Sequence, residues 1–276
     1  MHVWFLDVGQ GDSILMETPL GEWIIDDGGP DDTVLARMGA IMPFYEHRIK
    51  VMFLSHPHAD HINGLLGVLK RYEVESIVMT GVKYEYAGYE KFYHLAQERG
   101  VRIIFVDGSF DLRLGKIGFD LIYPERNIQG ITFDNANNSS VVFRLVYGEN
   151  RGFFSGDLEM EKEAELVKQV RNADVKSILD IASKNIAPPV LNLKADILKA
   201  GHHGSKTSNT EDFVKLIEPK FAVISCGVNN KFNHPFAGTV ERFARLGATV
   251  YRTDLDGTVE ASMDGKTIRM QVEGKI

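Results

Sequence analysis

The chain has 276 residues, enough to bury a sizeable core. Its 44% hydrophobic and 25% charged residues are ordinary for a globular protein, and no apolar run is long enough for a membrane-spanning helix. The net charge of −7 argues against a broadly basic nucleic-acid surface, and the single cysteine, Cys226, excludes an intrachain disulfide.

The first elements read as strands. "HVWFLDV", "SILMET" and "EWIIDD" are short β-rich runs separated by Gly-containing turns, as in antiparallel hairpins. A chain that enters a strand at once does not look like a signal peptide, so a cytoplasmic location is expected. Residues 1–32 carry eight acids and no Lys or Arg, whereas 194–245 lean basic. That asymmetry suits a metal with an anionic substrate and suits solvated faces equally well. "IKVMFLS" (49–55) is a continuous apolar run, read as a buried strand leading into the helix-like "HINGLLGVLKRY". Strand "ESIVMT", helix "GYEKFYHLAQERG" and strand "VRIIFV" follow, an alternation that implies parallel pairing with outer helices. The middle of the chain, "FDLRL", "IGFDLIYP", "SVVFRLVYG" and "RGFFSG", reads as an antiparallel meander, with a helix from about Glu159. Residues 172–193 are taken as an insertion, a short helix and a Pro-broken loop. The last third alternates again, through "KADILKAG", "EDFVKLIE", "KFAVISCG", "GTVERFARLG" and "TVYRT", and closes on a hairpin. Two mixed halves of this kind predict two sheets packed face to face with helices outside, as one domain over 1–276.

The chemistry concentrates in "LSHPHADHING" (54–64), which places His56, His58, Asp60 and His61 within six positions. In extended geometry His56 and His58 point the same way, so one ion can take both. Asp60 and His61, where the chain turns into the helix, can serve a second ion alongside. Imidazole and carboxylate are ligands of zinc and similar divalent metals.

"HPHADH" matches the His-x-His-x-Asp-His motif of the metallo-β-lactamase superfamily. With "DVGQGDSILMETP", "IIDDGG", "NNSSVVFRLVYG", "FFSGD", "LKAGHHGSKTS", "NHP" and "YRTDLDGTVE", in that order, the chain resembles the metallo-β-lactamase-type domain of ComEC/Rec2 competence proteins and their stand-alone relatives. The resemblance implies an α/β four-layer αβ/βα sandwich. It also implies that Asp157 bridges two metals and that His202 is a ligand of the second. The residues alone also allow Asp157 to cap the helix after it. The residues leave open a register shift of one that would make His203 the ligand; otherwise His203 binds substrate, acts as an acid or caps a loop. The expected first site is His56, His58 and Asp157, and the second Asp60, His61, Asp157 and His202. Asp60, Asp157 and His203 are the catalytic candidates. Many superfamily members have another histidine where this chain has "DNANNSSVV". Asn137 or Asn138 can take its place through a carbonyl oxygen or leave room for water, and an oxygen-rich site makes manganese a rival to zinc. Asp7, Gln10, Asp12, Asp26 and Asp27 either orient imidazole N–H groups or are turn residues.

Two ions of this kind acidify a shared water and stabilise charge on an ester, and an anionic phosphodiester gains most from them. Asn138, Ser205, Lys206 and His234 are the substrate-side candidates. The expected activity is therefore a phosphodiesterase or nuclease, and the resemblance to ComEC-type domains implies single-stranded or short DNA as the substrate. The sequence shows no interleaved Arg and aromatic stripe, however. The alternatives are a hydrolase of a small ester (phosphorylcholine-type ester, lactone or thioester) and a catalytically idle, metal-bound binding module.

Overall fold

The computed structural model describes residues 1–108, 111–183 and 192–274, with backbone alone over 173–183. One sheet holds eight strands, β1 (His2–Phe5), β2 (Ile14–Glu17), β3 (Trp23–Asp26), β4 (Arg48–Phe53), β5 (Glu73–Met79), β6 (Arg102–Phe105), β14 (Val259–Met263) and β15 (Ile268–Val272), in the order β15-β14-β1-β2-β3-β4-β5-β6. It is antiparallel from β15 to β3 and parallel from β3 to β6. The other has seven, β7 (Leu112–Leu114), β8 (Ile117–Tyr123), β9 (Val142–Tyr147), β10 (Asn150–Phe154), β11 (Ile197–Lys199), β12 (Phe221–Ile224) and β13 (Thr249–Arg252), in the order β13-β12-β11-β10-β9-β8-β7. Here β10 to β13 are parallel and β7 to β10 antiparallel.

Three apolar clusters define four layers. Alternate residues of each strand face opposite ways. Val3, Phe5, Ile24, Phe53 and Val78 meet Phe119, Phe143, Phe154, Ile197 and Val223 between the sheets. Ile25, Met52 and Ile77 turn to the other side and pack on α1 (Thr33–Ile41), α2 (Ala59–Arg71) and α3 (Ala87–Glu98). Phe153, Leu198 and Ala222 do the same for α4 (Met160–Ser183), α5 (Glu211–Ile217) and α6 (Ala237–Arg245). The result is the αβ/βα sandwich expected from the alternation. A short helix, α7 (Thr253–Asp256), links β13 to the closing hairpin.

Two features differ from the sequence reading. Helix α1 was not predicted: its stripe of Val34, Leu35 and Met38 spans little more than one turn and sits among Gly and Pro punctuation. The proposed short helix after residue 172 is the unbroken continuation of α4 to Ser183, and 184–191 lie outside the described residues. Among the described residues no helix is long and apolar enough to cross a membrane.

Phe53 sits at the centre of the inter-sheet cluster, fully buried, with its ring 4.6 Å from that of Phe143 and 5.4 Å from that of Phe119. Phe53→Ala is expected to cost about 3–5 kcal/mol in urea unfolding, because the cavity lies between two rigid sheets that cannot both collapse onto it.

Candidate metal centre

The site forms where the C-terminal ends of parallel strands from both sheets meet, the usual place for ligands in such sheets. Strand β3 ends at Asp26 and is followed by Asp27. Its parallel neighbour β4 runs on through Ser55 to His56. His58 keeps an extended backbone (φ −69°, ψ 151°) as the residue before α2, so Asp60 and His61 fall in the first turn of that helix. In the second sheet β10 leads to Asp157, and its parallel neighbour β11 leads to a 3-10 turn, Gly201–Gly204, carrying His202 and His203.

Two glycines set how closely α2 approaches. A Cβ on Gly64 would stand 1.9 Å from the Gly28 carbonyl oxygen, and one on Gly28 2.4 Å from the Leu65 nitrogen. With no side chains between them, Gly28 N–H donates to the His61 carbonyl (2.7 Å) and Gly64 N–H to that of Gly29 (3.1 Å). This contact lays His61 against Asp27. The turn at 201–204 is held from the other side. The Asn209 side chain accepts from Gly201 N–H and donates to Gly201 O, and Glu163 accepts from the N–H groups of Asn209 and Thr210.

Asp157 is the hub. Its Oδ2 lies 3.3 Å from His61 Nε2, 3.5 Å from His203 Nε2, and 4.0 Å from both His56 Nε2 and His202 Nε2. The carboxylate faces imidazoles rather than the start of α4, and its Oδ1 has no hydrogen-bond partner. His56 Nε2 is 3.0 Å from His58 Nδ1, and His203 Nε2 is 3.3 Å from Asp60 Oδ2. Two donors about 2.1 Å from one ion at roughly 90–110° stand roughly 2.9–3.4 Å apart, so several of these separations are those of coordination edges.

The far side of each buried ring is tied down. His61 Nδ1 bonds Asp27 Oδ2 at 2.7 Å, and Asp27 also accepts from Ser55 N–H (2.8 Å) and Ser55 Oγ (2.6 Å). With its own hydrogen given to Asp27, Ser55 Oγ accepts from His56 Nδ1 at 3.0 Å. His203 Nδ1 donates to the Ser225 carbonyl at 3.0 Å. These bonds fix the tautomers and leave the Nε2 lone pairs of His56, His61 and His203 turned towards Asp157. His61 Nε2 and His203 Nε2 are buried without any hydrogen-bond partner. Orphaned nitrogens beside an orphaned carboxylate oxygen are costly unless a cation joins them, so the residues fit divalent ions.

The electrostatics agree. Burial opposes charge on His203, but Asp157 and Asp12 outweigh it and raise its pKa to about 10. Burial likewise opposes charge on His61, yet Asp157 and Asp27 raise it well above the usual imidazole range. Against its own burial, Asp157 is held well below the usual carboxylate range by His203 and His61. Protons and metal cations thus compete for the same nitrogens. Burial pushes the Asp26 pKa well up, reinforced by Asp27 and Asp12.

Most of the sequence-predicted residues converge, with a shift in emphasis. His56, His58, Asp60, His61 and Asp157 come together, and so do both neighbouring histidines. The resemblance implied His202 as the ligand and left His203 as the alternative; Asp157 Oδ2 lies nearer His203 Nε2 (3.5 Å) than His202 Nε2 (4.0 Å). Both have positive φ (48° and 52°), which coils the turn so that His203 points inward, almost fully buried, while His202 lies at the edge. His202 Nδ1 faces Glu159 Oε1 (3.1 Å) and Thr207 Oγ1 (3.3 Å). The asparagines that replace the superfamily histidine turn towards α4: Asn137 Nδ2 donates to Glu159 (2.7 Å), and the Asn138 amide is used by Glu159 N–H and Glu161. Ser205 Oγ pairs with Thr207, and Lys206 is exposed. The His234 ring packs edge-on to His202 at 5.3 Å, and burial lowers its pKa to about 4. Asp12 and Asp27 belong to the centre. Asp7 instead faces Arg37, and Gln10 accepts from Gly227 N–H. Of the remaining histidines, His2 pairs with Glu260 and His47 packs near Tyr72.

Sequence reasoning missed Lys199. It is 1% exposed and its Nζ lies 2.6 Å from Asp12 Oδ2, while Asp12 Oδ1 lies 3.2 Å from His203 Nδ1. The available signal was a lysine as the last residue of the apolar strand β11. Lys199→Met is expected to cost about 3–5 kcal/mol in denaturant unfolding with chelator, since it strands a buried carboxylate; adding Asp12→Asn should restore much of the loss. Asp27→Ala is expected to lower divalent-ion affinity about 10- to 100-fold, read by competition with a chromophoric chelator, and unchanged affinity would remove Asp27 from its orienting role.

Comparison with known proteins places this geometry. The family model described as the metallo-beta-lactamase superfamily matches residues 6–228. The chain is similar to ComE operon protein 3 of Bacillus subtilis (strain 168), 30% identical over 94% of this chain and 32% of that protein. It is also similar to competence protein ComA of Neisseria gonorrhoeae, 28% identical over 98% of this chain and 33% of that one. It therefore spans about a third of the length of these relatives. Among solved structures, zinc-bound PqqB from Methylobacterium extorquens has a TM-score of 0.58 at 13% identity, covering 95% of this chain and all (100%) of that one. YhfI from Bacillus subtilis, a metallo-beta-lactamase fold protein, has a TM-score of 0.54 at 11% identity over 91% and 96%. Identities that low show a shared fold alone. The family match extends over most of the sequence and takes in the whole of the histidine–aspartate turn: the chain belongs to the metallo-beta-lactamase superfamily.

Proposed function

We infer that this chain is a metal-dependent phosphodiesterase, acting on nucleic acid or nucleotides with two divalent ions, zinc or manganese. The observation that carries the reading is the convergence of orphaned imidazole nitrogens from both sheets on the carboxylate of Asp157. His56, His58 and Asp157 would hold one ion, and Asp60, His61, Asp157 and His203 the other. Bound there, the ions supply Lewis-acid polarisation of the ester and a water acidic enough to attack near neutral pH.

The chain's own groups do the rest. Asp12, Asp27, Asp60 and Asp157 crowd one centre against the buried ammonium of Lys199, so an anionic substrate is acceptable only when cations balance them. Asp27 and the Ser225 carbonyl keep His61 and His203 in the tautomer that leaves Nε2 free. His202, part exposed with its Nδ1 on Glu159, would pass a proton to the leaving oxygen. Exposed Lys206 lies on the same loop and suits a phosphate oxygen. Nucleic acid as the substrate class is supported by the resemblance to competence proteins.

The idle-module reading has one observation in its favour: the Asn137 and Asn138 amides are turned to glutamates, so the first group lacks the imidazole that many relatives have. Hydrolysis of bis(p-nitrophenyl) phosphate with Mn²⁺ or Zn²⁺ separates the two. Turnover is expected, with Asp157→Ala and His58→Ala each losing more than about 100-fold in kcat/KM, beyond what partners outside the ligand shell produce. Bound metal without turnover of phosphodiester, lactone or thioester would favour the module.

A further inference from the structure

Two loops far apart in sequence bring the same dipeptide chemistry to the rim of the metal centre. Lys83–Tyr84 lies between β5 and α3, and Lys231–Phe232 between β12 and α6. The Tyr84 ring packs edge-on to His58, with centroids 5.4 Å apart. The Phe232 ring stacks on His234 (5.8 Å, 26° between planes), which in turn packs edge-on to His202. Both lysines are exposed. Phe232 is 51% exposed.

Neither loop is slack. Asn230 staples the second one: its Nδ2 donates to the Gly227 and His234 carbonyls, and its Oδ1 accepts from the N–H groups of Phe232 and His234. The ends are pinned by Gly227 N–H to Gln10 Oε1 and by Phe236 N–H to the Gly204 carbonyl of the histidine turn. The first loop is held by Lys83 N–H to the Ile131 carbonyl and by the Tyr86 hydroxyl to Asn63 on α2. Rings on loops fixed in this way, Phe232 exposed and Tyr84 part-exposed, lose little freedom on contact, so they can use a face for binding.

We propose that Tyr84 and Phe232 are nucleobase-stacking subsites flanking the metal centre, with Lys83 and Lys231 serving the neighbouring phosphates, so that the site takes a single-stranded nucleic-acid segment. This rests on the phosphodiester reading and narrows it. Aromatic faces beside mobile cations are how single strands are held without reading their sequence, because every base has a π-face. Lys231 Nζ lies over the Phe232 ring, 5.0 Å from its centroid. Its flexible stem lets the ammonium move to a phosphate while a base takes the ring. The acidic net charge is no obstacle, since these contacts are local and cations held by the histidine–aspartate centre would balance the scissile phosphate.

The test is binding, read by fluorescence anisotropy with Ca²⁺ present, of labelled hexathymidylate and of an equally charged abasic hexamer to the whole chain. The native chain is expected to prefer the base-bearing strand by about five- to 150-fold for each stacked base. Phe232→Ala and Tyr84→Ala should each shrink that preference, and Phe232→Tyr and Tyr84→Phe should keep it. Phe232 is outside the core, so its alanine variant is expected to fold, and an unchanged unfolding midpoint checks this. Equal affinity for the two strands, no binding of either, or a preference untouched by both alanine variants overturns the proposal. Turnover of bis(p-nitrophenyl) phosphate without base preference removes the subsites and keeps the phosphodiesterase. Base preference without turnover does the reverse.

Discussion

Everything in this molecule that bears on chemistry is arranged around one buried carboxylate. Asp157 is 2% exposed and has imidazole nitrogens from four histidines within 4.0 Å. A carboxylate so placed cannot be satisfied by one hydrogen bond, and the Nε2 atoms of His61 and His203 have no partner of their own. The low dielectric that makes such a cluster costly when unpaired also strengthens it when cations join it. The architecture exists to hold this arrangement. Each sheet brings the C-terminal ends of two adjacent parallel strands to it, one set carrying His56 and Asp27 and the other carrying Asp157 and the His202–His203 turn.

Two kinds of support keep the cluster in register. The first is steric: Gly28 and Gly64 let the first turn of α2 press against the turn after β3, and no larger residue fits there. The second is electrostatic: Asp27 orients His61, and Lys199 neutralises Asp12 beneath His203. Buried ion pairs add little to stability by themselves, because desolvation offsets attraction. Here the Lys199–Asp12 pair makes better sense as a device that limits negative charge in a crowded acidic site and keeps a carboxylate beside His203.

The rim differs in character from the centre. Its aromatic rings and lysines lie on loops rather than on strands, and hydrogen bonds to the neighbouring core pin those loops. This division suits a rigid reaction centre common to a superfamily and a periphery that adapts to a substrate. With a net charge of −7, the chain carries its exposed rim cations locally rather than as a basic face.

The alternation of strands and helices, and the dense "HPHADH" turn, made the fold class and much of the cluster of candidate ligands readable from the amino-acid order. Period-two burial and Gly-bounded runs are local properties, and a motif packed into six residues carries its own geometry. What the order of residues left open was whatever depends on partners distant along the chain. The choice between His202 and His203 rests on two positive φ angles and on the Ser225 carbonyl 22 residues away. Asp27 could be a turn residue or an orienting one until α2 docked on it. Lys199 looked like one charge among many until burial placed it on Asp12. The aromatic–lysine pairs at 83–84 and 231–232 lie far apart in the sequence and come to the histidines of the centre only by folding. Residue type and spacing determine which chemistry is available; only the packing of two sheets decides which of those groups meet.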